Sequence, residues 1–277
     1  MASLTKRVRP AEPADHREFV RLFPELAVDD PVKDAGRFAA EIMPGALMAE
    51  AEDGRVVGYT YFQILEDLAY VRHLVCAPEA RRAGVGTALM HAVAERARAA
   101  GCTTWCLNVK PDNVTAIAFY EQLGLVATYR TKAVRIDWAT VDAKLQMHDA
   151  RVLPRRIDPD DDARVETAAR LVKGQLASAR KLEGRILLAL HEADDDEIGD
   201  VVGAAVFHPE FPGAYPFRVT RPELAFKLLA ALGPYARPQD EIVNVVVEDS
   251  PLVADALIAA GATLRLESIH MKGPLPG

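Results

Sequence analysis

The chain is poor in cysteine, has no excess of basic charge and contains no long apolar run. Its three cysteines in 277 residues, Cys76, Cys102 and Cys106, are too few for a disulfide framework. Cys102 and Cys106 have no His or Cys neighbours at zinc spacing, so reduced thiols and no metal are expected. Lys and Arg number 33 against 40 Asp and Glu, a formal charge of −7. The acidic excess lies beyond residue 140 and reads as a solubilising surface. Without a basic stripe, nucleic acid is not an expected partner. No run approaches the roughly 18 apolar residues of a membrane span, so no membrane partner is expected. Met1 to Arg7 has no apolar core of a secretory leader, and a cytoplasmic location is expected. What remains is a chain that is 50% hydrophobic and long enough for one large or two ordinary domains.

Glycine is placed with purpose in one segment, Arg81-Arg82-Ala83-Gly84-Val85-Gly86. It follows the apolar run Leu74-Val75-Cys76 and precedes a helical pattern from Thr87 to Ala100. A strand, a glycine-spaced basic loop and a helix start suit an anion. The first turn of a helix carries unpaired N–H groups and partial positive charge, and glycine lets the backbone come close. The spacing is neither that of a P-loop nor that of the dinucleotide fingerprint. Downstream, Leu107-Asn108-Val109 reads as a strand. Asn113 then caps a helix from Val114 to Leu123, closed by Gly124 at the C′ position.

Taken together, Arg81, Gly84 and Gly86, followed by Asn113, Ala116, Phe119, Tyr120 and Gly124, resemble the GNAT superfamily of N-acetyltransferases over about residues 5–136. The resemblance implies an α/β (α+β) fold, a twisted mixed, mainly antiparallel sheet flanked by helices. It implies acetyl-CoA as cosubstrate, with its pyrophosphate on the amides of Arg82, Ala83, Gly84, Val85, Gly86 and Thr87. Arg81 would face the phosphates or brace the loop. The pantetheine arm would pair with the backbone of Leu74, Val75 and Cys76, and Asn113 would cap its helix and touch the cosubstrate. Tyr120 would protonate the departing thiolate, a phenol being able to donate to a nascent thiolate. Since neighbours on a helix diverge, Phe119 is assigned to the core and Tyr120 to the site. The acceptor implied is a small-molecule or peptide amine; a noncatalytic acyl-CoA sensor is the alternative.

The general base is open. Tyr70 stands where many family members carry a carboxylate on the strand before the glycine loop, and Glu66 precedes it in a turn. Strand alternation puts Tyr70, Arg72 and Leu74 on one face and turns His73 away. Site walls are expected from 23–31, 62–67 and a hairpin at 129–132. Glu25, Asp29 and Asp30 either draw an ammonium group or merely decorate a loop.

Domain boundaries are expected at 1–140 for the acetyl-CoA-binding domain, 141–162 for a linker, and 163–277 for a second domain. That domain would open with a helix from Ala163 to Leu182. Strands at Ile186–His191 and Val201–Phe207 follow, joined by an acidic turn at 194–197. A helix Pro222–Leu232, a strand Ile242–Val247, a helix Leu252–Ala260 and a strand Leu264–Met271 complete it. The order echoes the first half. After Val201–Phe207, however, comes His208-Pro209-Glu210-Phe211-Pro212-Gly213, whose prolines lack amide donors. A degenerate second GNAT-like copy is expected, with an unrelated α/β domain as the alternative. It would shape the acceptor cleft or mediate a homodimer.

Overall fold

Two similar runs of elements follow one another in the computed structural model, which describes residues 7–28, 30–145, 151–194 and 197–276. The first run is β1 (Arg7–Pro10), α1 (His16–Leu22), α2 (Ala35–Arg37), β2 (Ala46–Glu50), β3 (Val56–Leu65), β4 (Leu68–Cys76), α3 (Val85–Ala99), β5 (Thr104–Val109), α4 (Val114–Gln122) and β6 (Val126–Asp137). After α5 (Trp138–Leu145) the order repeats: β7 (Val152–Arg156), α6 (Asp162–Ala168), α7 (Gln175–Arg180), β8 (Ile186–Asp194), β9 (Glu197–His208), β10 (Gly213–Val219), α8 (Leu224–Leu232), β11 (Ile242–Glu248), α9 (Pro251–Ala259) and β12 (Thr263–Pro274).

Contacts divide the chain into two compact units that are not simple halves. One holds Met1–Asn108, Ala118–Val126 and Met271–Gly277; the other holds Val109–Ile117 and Ala127–His270. In the first unit the strand order is β1-β2-β3-β4-β5, continued by the end of β12. In the second it is β12-β6-β11-β10-β9-β8-β7. Pairing repeats as well. Successive strands from β1 to β4, and from β7 to β10, are antiparallel, while β4–β5 and β10–β11 are parallel.

The helix after the fourth strand is seated by burial in both units. In α3, Val85, Leu89, Met90, Val93, Ala94 and Ala97 form the buried stripe of an amphipathic helix. A side chain at Gly58 of β3 would meet the Val75 carbonyl oxygen at 2.6 Å and Val85 at 2.9 Å. Glycine there lets α3 lie close on the sheet, which fixes the loop at its head. In α8, Leu224, Ala225, Phe226, Leu228, Leu229 and Leu232 are all buried.

Several expectations need correction. Val126–Asp137 is one continuous strand rather than a hairpin, since Tyr129-Arg130-Thr131-Lys132 offers no turn residue. Tyr129 stacks on His270, with ring centroids 4.3 Å apart, in the second unit. The stretch 141–162 contains most of α5, anchored by buried Val141, and all of β7. The helix expected from Ala163 to Leu182 is two helices, parted by left-handed backbone at Arg170 and Gly174. The short helix at Ala35–Arg37 continues as a π turn from Phe38 to Ile42. A missed strand, β10, has the largest consequence. Pro216 inside it, and a register shift between Ala214 and Phe217, hide its pattern. The segment 208–213 is therefore the connection into β10, and the true counterpart of the glycine loop is Thr220–Glu223. Asp195 and Asp196 of the acidic turn lie outside the described residues, as does Asp29.

Candidate acetyl-CoA site

The site is a fork between two parallel strands. β4 pairs with β5 from Leu68 to Val71 only, yet β4 continues to Cys76 and β5 to Val109. On its other side β4 stays paired with β3 as far as Cys76 opposite Gly58. The Ala77 N–H bonds to the Val57 carbonyl on that side. By strand parity, Leu74 and Cys76 therefore turn their backbone groups toward the open side.

Directly below the open edge comes the glycine loop. Arg82 (φ 62°) and Gly84 (φ 79°) are left-handed, and Gly84 is the N-cap of α3. The first helical bond runs from the Ala88 N–H to the Gly84 carbonyl, so the preceding amides point out of the helix start. At Gly86 a Cβ would lie 3.7 Å from Phe119 and 3.8 Å from the Cys76 sulfur, which is ordinary contact. Gly84 thus answers to backbone conformation, whereas Gly86 has room for a methyl group. Arg81 donates through Nη2 to Glu25 at 2.5 Å and through Nε to the Cys76 carbonyl at 3.4 Å. It braces the loop against the turn after α1, and Glu25 is committed to it. Asp30 is exposed. Ala83, Val85 and Thr87 complete the turn, with Val85 buried.

Tyr120 is buried and tilted against Phe119, with ring centroids 5.4 Å apart. Burial first, and the nearby Cys76 second, raise its pKa, so the phenol stays protonated. Phe119 is only partly buried and lies beside Gly86, so both rings of the pair border the fork, Tyr120 through its closeness to Cys76. Asn113 is exposed and caps α4, its Oδ1 accepting from the Ala116 N–H at 3.2 Å.

At the closed end of the fork stands Tyr70, one residue before the parallel pairing stops. The Asn108 amide donates to its oxygen at 2.7 Å, and the Arg72 guanidinium lies 3.5 Å over its ring. Arg72 Nε donates to Gln63, whose amide donates to the Tyr61 hydroxyl. The register shifts here: Phe62 opposes Val71 but Tyr61 opposes His73, so Arg72 is an extra residue. The bulge breaks the alternation assumed from sequence. It brings His73 in among Phe23, Tyr59 and Tyr61, with 3.4 Å between the Tyr59 hydroxyl and Nδ1. Desolvation, with Arg72 and Lys33 adding, lowers the pKa of His73 to about 4. Glu66 is exposed in the β3–β4 turn at φ 49°. Asn108 and the bulge went unnoticed in the sequence; neither has a local signature.

The acetyltransferase (GNAT) family model matches residues 13–125, the span that contains the fork, loop and α4. The match is a likeness of this segment, which is less than half of the chain. Over 143 residues it is 26% identical to an aminoglycoside N(6')-acetyltransferase type 1 of Klebsiella aerogenes, covering 46% of this chain and 94% of that protein. A putative acetyltransferase structure from Pyrococcus horikoshii superposes with a TM-score of 0.71 at 17% identity, covering 99% of this chain and 91% of that one. A tandem GNAT protein from the clavulanic acid biosynthesis pathway gives 0.59 at 18% identity, over 98% and 99%. These two likenesses concern fold alone, and they span both units. The repeated elements and pairings of the two units agree with that likeness of fold.

Proposed function

We propose that the chain transfers an acetyl group from acetyl-CoA to a primary amine by direct attack, with the first unit as the catalytic one. The observation that carries this reading is the fork: five residues of β4 beyond Val71 lack β5 as a partner, and the open edge ends at the Gly84 cap of α3. The pantetheine arm fits that edge as an added strand beside Leu74 and Cys76. The pyrophosphate fits the amides at the start of α3, where partial positive charge favours an anion. The fit is physical, since a long ligand with amides along it and phosphates at one end matches a strand edge that β5 does not pair, leading to a helix N-terminus.

The acetyl carbonyl then lies toward the bulge. An amine attacks only as its free base, so a proton must leave it first. Tyr70, held by Asn108 and Arg72, is the residue best placed to orient the amine and pass that proton to water. Glu66, exposed at the far turn, is the lesser choice. The tetrahedral adduct collapses with cleavage of the C–S bond, and Tyr120 donates its hydroxyl proton to the sulfur as negative charge builds there. The relative from Klebsiella aerogenes is named as an aminoglycoside acetyltransferase, which makes a small amine acceptor the first to screen.

Calorimetric titration of acetyl-CoA, followed by an amine screen, tests the reading. Binding that is lost in Gly84→Asp and Gly86→Asp, with turnover on some amine, is the expected result. Binding without turnover on any amine would leave the sensor alternative; no binding at all would refute both.

A further inference from the structure

Residues 271–276 follow the entire second unit in sequence, yet they belong to the first. The Leu275 N–H bonds to the Thr103 carbonyl at 3.0 Å, at the start of β5. Arg98, near the end of α3, donates through Nε to the Pro276 carbonyl at 3.0 Å. Just before those two contacts the chain lies against the turn that ends α4. A Cβ at Gly273 would lie 2.2 Å from the Gly124 carbonyl oxygen and 3.1 Å from the Leu125 Cα. No side chain fits there unless that turn moves.

The turn is coupled to Tyr120 by hydrogen bonds. The Tyr120 carbonyl accepts from the Leu123 N–H at 3.0 Å and from the Leu125 N–H at 3.1 Å, and the Gly124 N–H bonds to Glu121 at 3.0 Å. Gly124 is left-handed at φ 82°, and Leu125 is buried. Pushing the Gly124 carbonyl aside moves the Leu125 amide, which holds the last turn of α4 and with it the phenol.

We propose that Met271–Pro276 is a positioning element for Tyr120, with Gly273 as its point of contact. The second half of the chain thereby contributes to the acetyl-transfer site of the first. This rests on the reading of Tyr120 as the acid for the thiolate. The segment touches no reacting atom; it acts through Tyr120.

The test uses the full chain labelled with 3-fluorotyrosine, in wild type, Gly273→Ala and Arg98→Ala. Tyr120→Phe identifies the Tyr120 resonance. Gly273→Ala forces the turn, while Arg98→Ala only loosens the segment and guards against a folding failure. The expected result is a displaced or broadened Tyr120 resonance with the other tyrosines unmoved. Acetyl-CoA affinity and the KM for the amine should be unchanged, and kcat should fall by about tenfold to a hundredfold in Gly273→Ala. An unmoved Tyr120 resonance in both variants overturns the proposal. A shift of all tyrosines together with lost acetyl-CoA binding overturns it too, because the segment would then only support the fold. Should Tyr120→Phe keep full kcat, the acid reading fails, while the Tyr120 resonance still decides the positioning.

Discussion

The two units make the same corner from different residues. In each, the fourth strand is bulged, leaves its parallel neighbour early and leads into a helix. β4 parts from β5 after Val71, and β10 is paired with β11 only at Gly213 and Ala214. Both bulges insert one extra residue into that strand, near Arg72 in one and between Ala214 and Phe217 in the other. The second fork is closed. Arg218 donates to the Glu248 carbonyl and faces its carboxylate at 3.7 Å, while the Tyr215 hydroxyl donates to that carboxylate at 3.3 Å. The loop has changed in parallel. Thr220-Arg221-Pro222-Glu223 has no glycine, a proline without an amide proton, and a carboxylate where the first unit offers bare backbone. A fork alone is therefore a property of this fold. An anion site needs the fork left open and the helix start left uncharged.

The largest expected effect follows from that contrast. One acetyl-CoA should bind per chain, and Gly84→Asp should remove it altogether. Glu223→Gln should leave both affinity and stoichiometry unchanged, since Pro222 and the Arg218–Glu248 clasp remain. Calorimetric stoichiometry checks this; two sites in the wild type would contradict it.

Next comes the clasp itself. Glu248 is 5% exposed, so Arg218→Ala removes the cation facing a buried carboxylate and should cost about 3–5 kcal/mol. The paired change Arg218→Met with Glu248→Leu should cost far less, because both charges go together. Urea unfolding measures the difference. Neither variant should gain a second acetyl-CoA site.

The bulges differ in chemistry too: His73 follows Arg72 in one, whereas Tyr215 and Pro216 occupy the other. Above its ordinary value of 6.5 His73 is neutral whether the chain is folded or not. Between 6.5 and about 4 only the unfolded chain takes up the proton, so stability falls as pH falls through that window. The loss should reach at most about 3 kcal/mol. His73→Asn should flatten that part of the curve relative to wild type, as thermal unfolding at pH 4–7 would reveal.

Much of the corner was legible in the sequence because backbone demands leave residue signatures. Asn113 marks a helix start and Gly124 a helix end, each where its spacing implies, while Gly84 caps a helix that starts two residues before the pattern expected from Thr87. Features made by pairing were not legible. The bulge at Arg72 has no residue signature, so strand parity sent His73 to the wrong face. β10 was lost because a proline inside a strand reads as a break. The exchange that places 271–276 in the first unit depends on contacts far apart in sequence, which no local pattern encodes.

The smallest effect concerns Arg81, which sequence left between phosphate contact and brace. Its side chain is 52% exposed and that of Glu25 32%, so loss of either should change stability by less than about 1 kcal/mol. Acetyl-CoA affinity separates the two roles. A brace acts through its partner, so Arg81→Ala and Glu25→Ala should weaken binding alike, by about fivefold, the worth of one modest hydrogen bond. A phosphate contact would instead make Glu25→Ala neutral or favourable, by freeing the guanidinium, and only Arg81→Ala harmful. Because Arg81 holds both the Glu25 carboxylate and the Cys76 carbonyl, parallel loss in the two variants is the expected outcome, measured by titration at low ionic strength.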